Sequence, residues 1–350
     1  MSAGYTESAG RIGSMDQFRG YTVAGMFLVN FLGHFNAIPP ILKHHNTYCS
    51  YADTIMPQFF FAVGFALRLV LVRRPSYRKA VRRCLALILT GVVAYHLDGD
   101  YRRWQDLASL GPLGVAAASF WRSPFQALVH IGLTSLWILP VAAGPAAKRI
   151  AWAAASGLLH FALSAWFWYD LLHARRVIDG GPLGFLTWTV PAIAGTFAYD
   201  WVRGADPIRR MAMWGAVLMA AGYGLSCLNG GGRLVPPPFF PPAHPPDIWT
   251  MSQRAGSLSY LVFSAGFSFA AYALFVWLVD RRNVRLELFS VLGQNALAAY
   301  LIHMWVSAAV EPFGPKDSPL WWALSLFAVF FGLTFLFVRY LNRHGMFLRL

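Results

Sequence analysis

GYTVAGMFLVNFLGHFNAIPPILKHHNTYCSYADTIMPQFFFAVGFALRLVLV, residues 20–72, decides the fold of this chain. Two apolar runs, Gly20 to Ile38 and Ala52 to Val72, flank a short polar stretch. Each is long enough to cross the ~30 Å hydrocarbon core of a bilayer as a helix of about 20 residues. Within and between them stand Asn30, His34, His44, His45 and Asp53. A charged side chain at the bilayer centre costs about 2.5 to 3.5 kcal/mol on insertion scales, so polar groups at that depth point to function.

The rest of the chain repeats the pattern. Residues are 57% hydrophobic and 13% charged, with 14 Trp and a mean hydropathy of +0.47, outside the range of a soluble globular domain. Further runs span Ala80 to Leu97, Pro124 to Ala143, Ala147 to Leu172, Leu183 to Val202, Ile208 to Leu228, Ser257 to Val279, Leu286 to Val310 and Pro319 to Leu341. They are apolar on all sides rather than alternating, which excludes a transmembrane barrel. The expected fold is an all-α polytopic bundle of about ten transmembrane helices.

Orientation follows the basic residues, which concentrate in short cytoplasmic loops. The second loop with its flanks carries Arg68, Arg73, Arg74, Arg78, Lys79, Arg82 and Arg83, which predicts both termini on the cytoplasmic side. The chain then divides into a cytoplasmic tail (1–19), a bundle (20–341) with outer loops 98–123 and 229–256, and a second cytoplasmic tail (342–350). The net charge of +14 reflects this bias and contact with anionic lipid, not nucleic-acid binding. The start of the chain lacks the basic and short apolar regions of a cleaved signal peptide, so the first span reads as a retained signal anchor.

The outer loop from Gly230 runs through Pro236-Pro237-Pro238-Phe239-Phe240-Pro241-Pro242 to Trp249, a stiff, extended path. It suits either a lid over a cleft or an inert packed loop. Cys49, Cys84 and Cys227 lack metal-ligand spacing; free thiols are expected, with a Cys49–Cys227 bridge as the alternative.

The predicted topology gathers His34, His44, His45, His96, His130 and His303 near the outer face. A neutral imidazole can take a proton during acyl transfer, and a carboxylate such as Asp53 can hold its orientation. Asn30 can hydrogen-bond a developing oxyanion. Either His44 or His45 can be the catalytic imidazole. Adjacent histidines without H-x-x-x-H or H-E-x-x-H spacing do not suggest a metal, and none is expected. On the cytoplasmic side Arg19, Arg73, Arg74, Arg82 and Arg83 could hold a phosphate-bearing donor, while no G-x-x-x-x-G-K-[ST] loop supports nucleotide hydrolysis. Trp249 at the outer rim is a candidate for stacking on a sugar, and Ser252, Asn295 and His303 are candidate hydrogen-bonding contacts to the acceptor.

RIGSMDQFRGYTVAGMFLVNFLG (residues 11–33), the histidine loop and YADTIMPQFFFAVGFAL (residues 51–67) resemble the start of the heparan-alpha-glucosaminide N-acetyltransferase family. The resemblance extends to GGPLGFLTWTVPAIAGT (180–196), IWTMS (248–252) and LGQNALAAY (292–300). It implies a transmembrane enzyme that takes acetyl from cytosolic acetyl-CoA and delivers it across the membrane to a glucosamine-type amine or a sugar hydroxyl. It implies a first-loop histidine as base or transient acyl carrier: His44 matches best, with His45 as rival because the spacing to Asp53 is one residue short. Tyr48 and Cys49 stand where the family commonly has tryptophan and glycine, and His130 where it has arginine. The resemblance further suggests a homodimer. The expected partners are membrane lipid and a sugar or glycan acceptor, and the expected location is a prokaryotic plasma (inner) membrane. The competing reading is a proton-coupled transporter of a small polar solute, although such carriers place their key groups at the midplane rather than at one face.

Overall fold

The computed structural model describes residues 12–45, 47–95, 103–119, 124–174 and 177–348. Among these, every regular element is a helix: α1 (Gly13–Leu32), α2 (Tyr51–Arg73), α3 (Tyr77–Tyr95), α4 (Trp104–Ser119), α5 (Ala127–Ala142), α6 (Ala146–Leu163), α7 (Tyr169–Ala174), α8 (Phe185–Val202), α9 (Pro207–Ser226), α10 (Leu258–Phe275), α11 (Glu287–Gln294), α12 (Ala296–Val310) and α13 (Leu320–Arg343), with short 3₁₀ and π turns between them. His96 lies outside the described residues.

Each of the ten apolar runs overlaps a helix, but among the described residues only six helical units are long and apolar enough to cross a membrane: Tyr51–Arg73, Ala146–Ala174, Pro207–Gly230, Leu258–Arg281, Ala296–Phe313 and Leu320–Arg343. The other four have evident reasons. Asp16 and Arg19 fall in α1, Arg78, Lys79, Arg82 and Arg83 in α3, and threonines and Asp200 in α8, while α5 is only 16 residues long. The first helix also starts seven residues before the expected span and ends at Leu32, because Pro39 and Pro40 organise the following stretch into a 3₁₀ turn. The ninth run is broken at Asn295 into α11 and α12. The stretch expected as the first outer loop contains α4, interrupted at Gly111 (φ 63°) before Pro112.

Two features of α2 position the site. Ser50 caps its N-terminus: the side chain accepts from the Asp53 backbone N–H, and the Asp53 carboxylate accepts from the Ser50 N–H at 2.9 Å. Such reciprocal boxes satisfy two orphan donors and contribute about 1 kcal/mol. Four residues after Asp53, Pro57 has no N–H to offer, so the Asp53 carbonyl loses its helical partner. The Tyr260 hydroxyl of α10 donates to that carbonyl at 2.5 Å. The proline thus exposes a carbonyl that ties α10 to the site.

Against its other face α2 crosses α8 at backbone contact. A Cβ on Gly64 would lie 1.7 Å from the Ala192 carbonyl oxygen, and one on Gly195 would lie 1.8 Å from the Phe61 carbonyl oxygen. Below this crossing Arg68 and Arg149 both bind Asp200, at 3.0 and 2.5 Å, and Arg149 also donates to Thr196. By contrast α3 leaves α2 after a short turn and makes its main contact with α5. The space between α2 and α3 is the cavity described next.

Candidate active site

The loop from α1 to α2 carries His44 back over the start of α2. Its Nδ1 lies 2.9 Å from Asp53 Oδ1 and its Nε2 lies 3.4 Å from Asn30 Oδ1. Asp53 is fully buried, and its second oxygen accepts from the N–H groups of Ser50 and His45. A carboxylate so held fixes the imidazole tautomer: Nδ1–H donates to Asp53 and Nε2 carries the lone pair. The Asn30 amide can turn its NH₂ to the neutral ring and its oxygen to the imidazolium, so one side chain suits both protonation states.

The His44 side chain is 45% exposed, and that exposure opens into a cavity walled by protein. Burial lowers its pKa, but the hydrogen bond and charge of Asp53, with help from Asp179 and Gln253, more than reverse this, and His44 titrates above its ordinary 6.5. His45 is differently placed. Its Nε2 lies 2.8 Å from the Pro40 carbonyl oxygen and 2.8 Å from the Tyr48 hydroxyl, and its ring stacks on Tyr48 with centroids 4.1 Å apart. Its Nε2 is thus held by the loop.

The cavity has a volume of about 710 Å³. Its floor is one stripe of α2, Ala52, Met56, Phe59, Val63, Ala66 and Val70, spaced alternately by four and three residues as one helix face requires. At about 1.5 Å per residue this stripe is roughly 27 Å long, close to the thickness of a bilayer core. One end holds Asn30, His44, Asp53, Asp179, Gln253 and Arg254, and the other Arg19, Lys79, Arg82 and Arg83.

Asp179, Gln253 and Arg254 escaped the reading of the sequence. Gln253 Nε2 donates to Asp179 Oδ1 at 2.8 Å, and the Gly180 N–H donates to the Arg254 carbonyl at 2.9 Å, so two loops far apart in sequence are zipped together over His44. Asp179 itself has φ 55°, a left-handed conformation uncommon outside glycine and costly to hold, with its carbonyl accepting from Trp188 Nε1. Burial raises its carboxyl pKa to about 6, against the opposing effects of Gln253 and the His44 charge. An acidic residue before Gly180-Gly181, in a loop at the same end as His44, was the available signal.

The remaining candidates divide by place. Arg19 reaches Asp16 at 3.0 Å and the Gly293 carbonyl while lining the cavity. Arg82 and Arg83 also line it, whereas Arg73 and Arg74 sit exposed at the end of α2 away from it. None of Trp249, Ser252, Asn295 and His303 lines the cavity. Trp249 packs on Phe161, and Ser252 bonds within its own turn to Ala255 and Ser257. Asn295 grips the C-terminal segment through the Met346 carbonyl and the Leu348 N–H. His303 stacks on Phe27 and bonds the Tyr300 carbonyl. His34 lies 4.0 Å from Glu311, and His130 is fully buried beside Trp188. The proline-rich loop is pinned: the Phe239 N–H donates to the Cys49 carbonyl and its ring packs on Phe263 and Phe267. All three cysteines are free. Among the described residues no group of three or more His, Cys, Asp or Glu could hold a metal ion.

The apolar helices mark an integral membrane protein, and its cavity is lined by polar groups at both ends. The family model for the catalytic region of heparan-alpha-glucosaminide N-acetyltransferase matches residues 11–216. The match covers more than half of the chain and the whole of the α1–α2 unit, and the chain belongs to that family of membrane acetyltransferases, which in general use acetyl-CoA as donor. No curated protein matches the chain.

Proposed function

We propose that the protein moves an acetyl group from cytosolic acetyl-CoA to an amine or hydroxyl of an extracytoplasmic sugar, with His44 as the base. The observation that supports this reading most is the single cavity joining a cluster of cations to an aspartate-held imidazole. The anionic part of the donor binds at Arg19, Lys79, Arg82 and Arg83, and its thioester arm lies along the apolar stripe of α2. The acceptor meets the thioester beside His44. Nε2 removes the acceptor proton as the new bond to the carbonyl carbon forms, and Asp53 stabilises the imidazolium. The carbon–sulfur bond then breaks and the proton passes to the departing thiolate, which leaves as CoA–SH. Holding both reactants in one dry cavity can lower the barrier by about 7 to 11 kcal/mol, so few catalytic groups are needed.

In this reading the arginine end and both termini face the cytoplasm of a prokaryotic plasma membrane, and the protein works as a homodimer. Support comes from the basic α2–α3 turn and the family resemblance. The test is CoA release by detergent-purified protein given acetyl-CoA and glucosamine-type acceptors, alongside His44→Ala and His45→Ala. Release that depends on acceptor and on His44 supports the reading; no thiol with any acceptor, and no thermal stabilisation by acetyl-CoA, overturns it.

A further inference from the structure

The hydrogens of one polar chain can be counted. The Leu128 N–H, in the first turn of α5 where backbone donors have no helical acceptor, donates to the Tyr95 hydroxyl oxygen at 3.0 Å. Tyr95 and Tyr300 stand with their hydroxyl oxygens 2.5 Å apart. Each hydroxyl has one hydrogen, so one tyrosine donates to the other. If Tyr300 were the donor, the Tyr95 hydrogen would have no acceptor among the described residues, at a part-buried position where an unmade hydrogen bond is costly. Either direction leaves one hydroxyl hydrogen over, and the chain from the Leu128 N–H to Tyr95 and from the Tyr95 O–H to Tyr300 leaves it on the tyrosine at the cavity wall. That leaves the Tyr300 hydrogen without an acceptor among the described residues, and Tyr300 lines the cavity while Tyr95 does not.

Tyr300 shares the cavity wall with His44 and Asp179. Asn30, the residue suited by type to an oxyanion, has its amide turned to His44 Nε2. Arg254 lines the same end, and the Tyr300 hydroxyl adds a neutral donor for the carbonyl oxygen.

Resting on the acetyl-transfer reading, we infer that Tyr300 is a catalytic residue whose hydroxyl, fed by Tyr95 and the Leu128 N–H, donates to the thioester carbonyl oxygen. As the acceptor adds to the carbonyl carbon, negative charge gathers on that oxygen and the Tyr300 bond strengthens. When the carbon–sulfur bond breaks, the charge leaves with the thiolate, which takes the proton held by His44, and Tyr300 keeps its own hydrogen throughout. A donor aimed at developing charge in a dry site contributes to the transition state more than to binding, and a chain of hydrogen bonds polarises its last member.

The experiment compares unsubstituted protein, Tyr300→Phe and Tyr95→Phe in detergent, measuring kcat, acetyl-CoA affinity, and the infrared carbonyl band of acetyl-CoA carrying ¹³C at the thioester carbon. Tyr300→Phe should lower kcat about 100-fold, leave acetyl-CoA affinity within about 2-fold, and move the bound carbonyl band to higher frequency. A purely structural role predicts an altered melting temperature with the band unmoved. Tyr95→Phe should lower kcat several-fold and shift the band partway, and it carries the test if Tyr300→Phe does not fold. An active protein whose kcat and carbonyl band are unchanged in these variants overturns the assignment of Tyr300 while acetyl transfer stands. Failure of the unsubstituted protein to release CoA counts against acetyl transfer itself.

Discussion

The two ends of the cavity are built on opposite plans. At the histidine end Asp53 is fully buried, His44 is held on both ring nitrogens, and two distant loops are zipped together by Asp179, Gln253 and Gly180. At the other end Lys79, Arg82 and Arg83 are exposed and make no hydrogen bond or ion pair among the described residues. The first arrangement is fixed before any substrate arrives, as a reaction that must place a proton requires. The second is a set of exposed charges, which in the proposed function find their partners on the donor. Changes at the first should alter turnover, and changes at the second should alter affinity.

The sharpest way to break this contrast is His44→Ala, which should lower kcat by about 10³- to 10⁴-fold with acetyl-CoA affinity preserved, as read by single-turnover kinetics and titration. Asp53→Asn should follow, with a loss of about 10²- to 10³-fold and a displaced pH profile. Because the base acts in its neutral form and His44 titrates above 6.5, the rate of the unsubstituted protein should climb with pH through a midpoint above that value. Asp53→Asn removes the charge that favours the imidazolium, so its midpoint should move to lower pH while its plateau drops. A midpoint that stays put would show that some other group carries the profile.

Effects at the opposite end should be milder and of another kind. Arg82→Gln combined with Arg83→Gln should weaken acetyl-CoA binding about 10-fold, since exposed pairs contribute up to about 1 kcal/mol each, and leave kcat nearly untouched. Added salt should narrow the difference from the unsubstituted protein, because exposed charges are screened. A large kcat loss there would erase the division between the two ends. The smallest effect belongs to His45→Ala, where a change of less than about 3-fold in kcat is expected because its Nε2 is committed to Pro40 and Tyr48.

How much of this was legible in the chain depends on how far each feature reaches. The α1–α2 unit could be read because apolar runs, loop histidines, the Ser50 cap and Asp53 lie within a few dozen residues, and the helix period places them on one face. The all-helical fold follows from the same apolar runs. Asp179 and Gln253 could not be read in this way, because 74 residues separate them and only tertiary packing joins them to His44. Asn295 was legible as a polar residue in an apolar run. Its backbone partners lie more than 50 residues away at Met346 and Leu348, which no local pattern reveals. The Tyr300 hydroxyl was hidden for a similar reason, since its orientation depends on a proton count that begins at a backbone N–H of α5.

The stripe of α2 from Ala52 to Val70 also has an electrical consequence. A ligand-filled cavity along the whole helix replaces part of the insulating layer, so a membrane voltage falls across the cavity's contents. In the proposed reaction the anionic body of the donor stays among the arginines and the acetyl group leaving sulfur is exchanged for one proton of the acceptor, so no net charge moves through the field during transfer. Turnover in proteoliposomes should then be indifferent to an imposed potential. A carrier that moved one charge per cycle would instead feel about 2.3 kcal/mol for every 100 mV. On the proposed reading, acetyl transfer along α2 is electroneutral and independent of how strongly the membrane is energised.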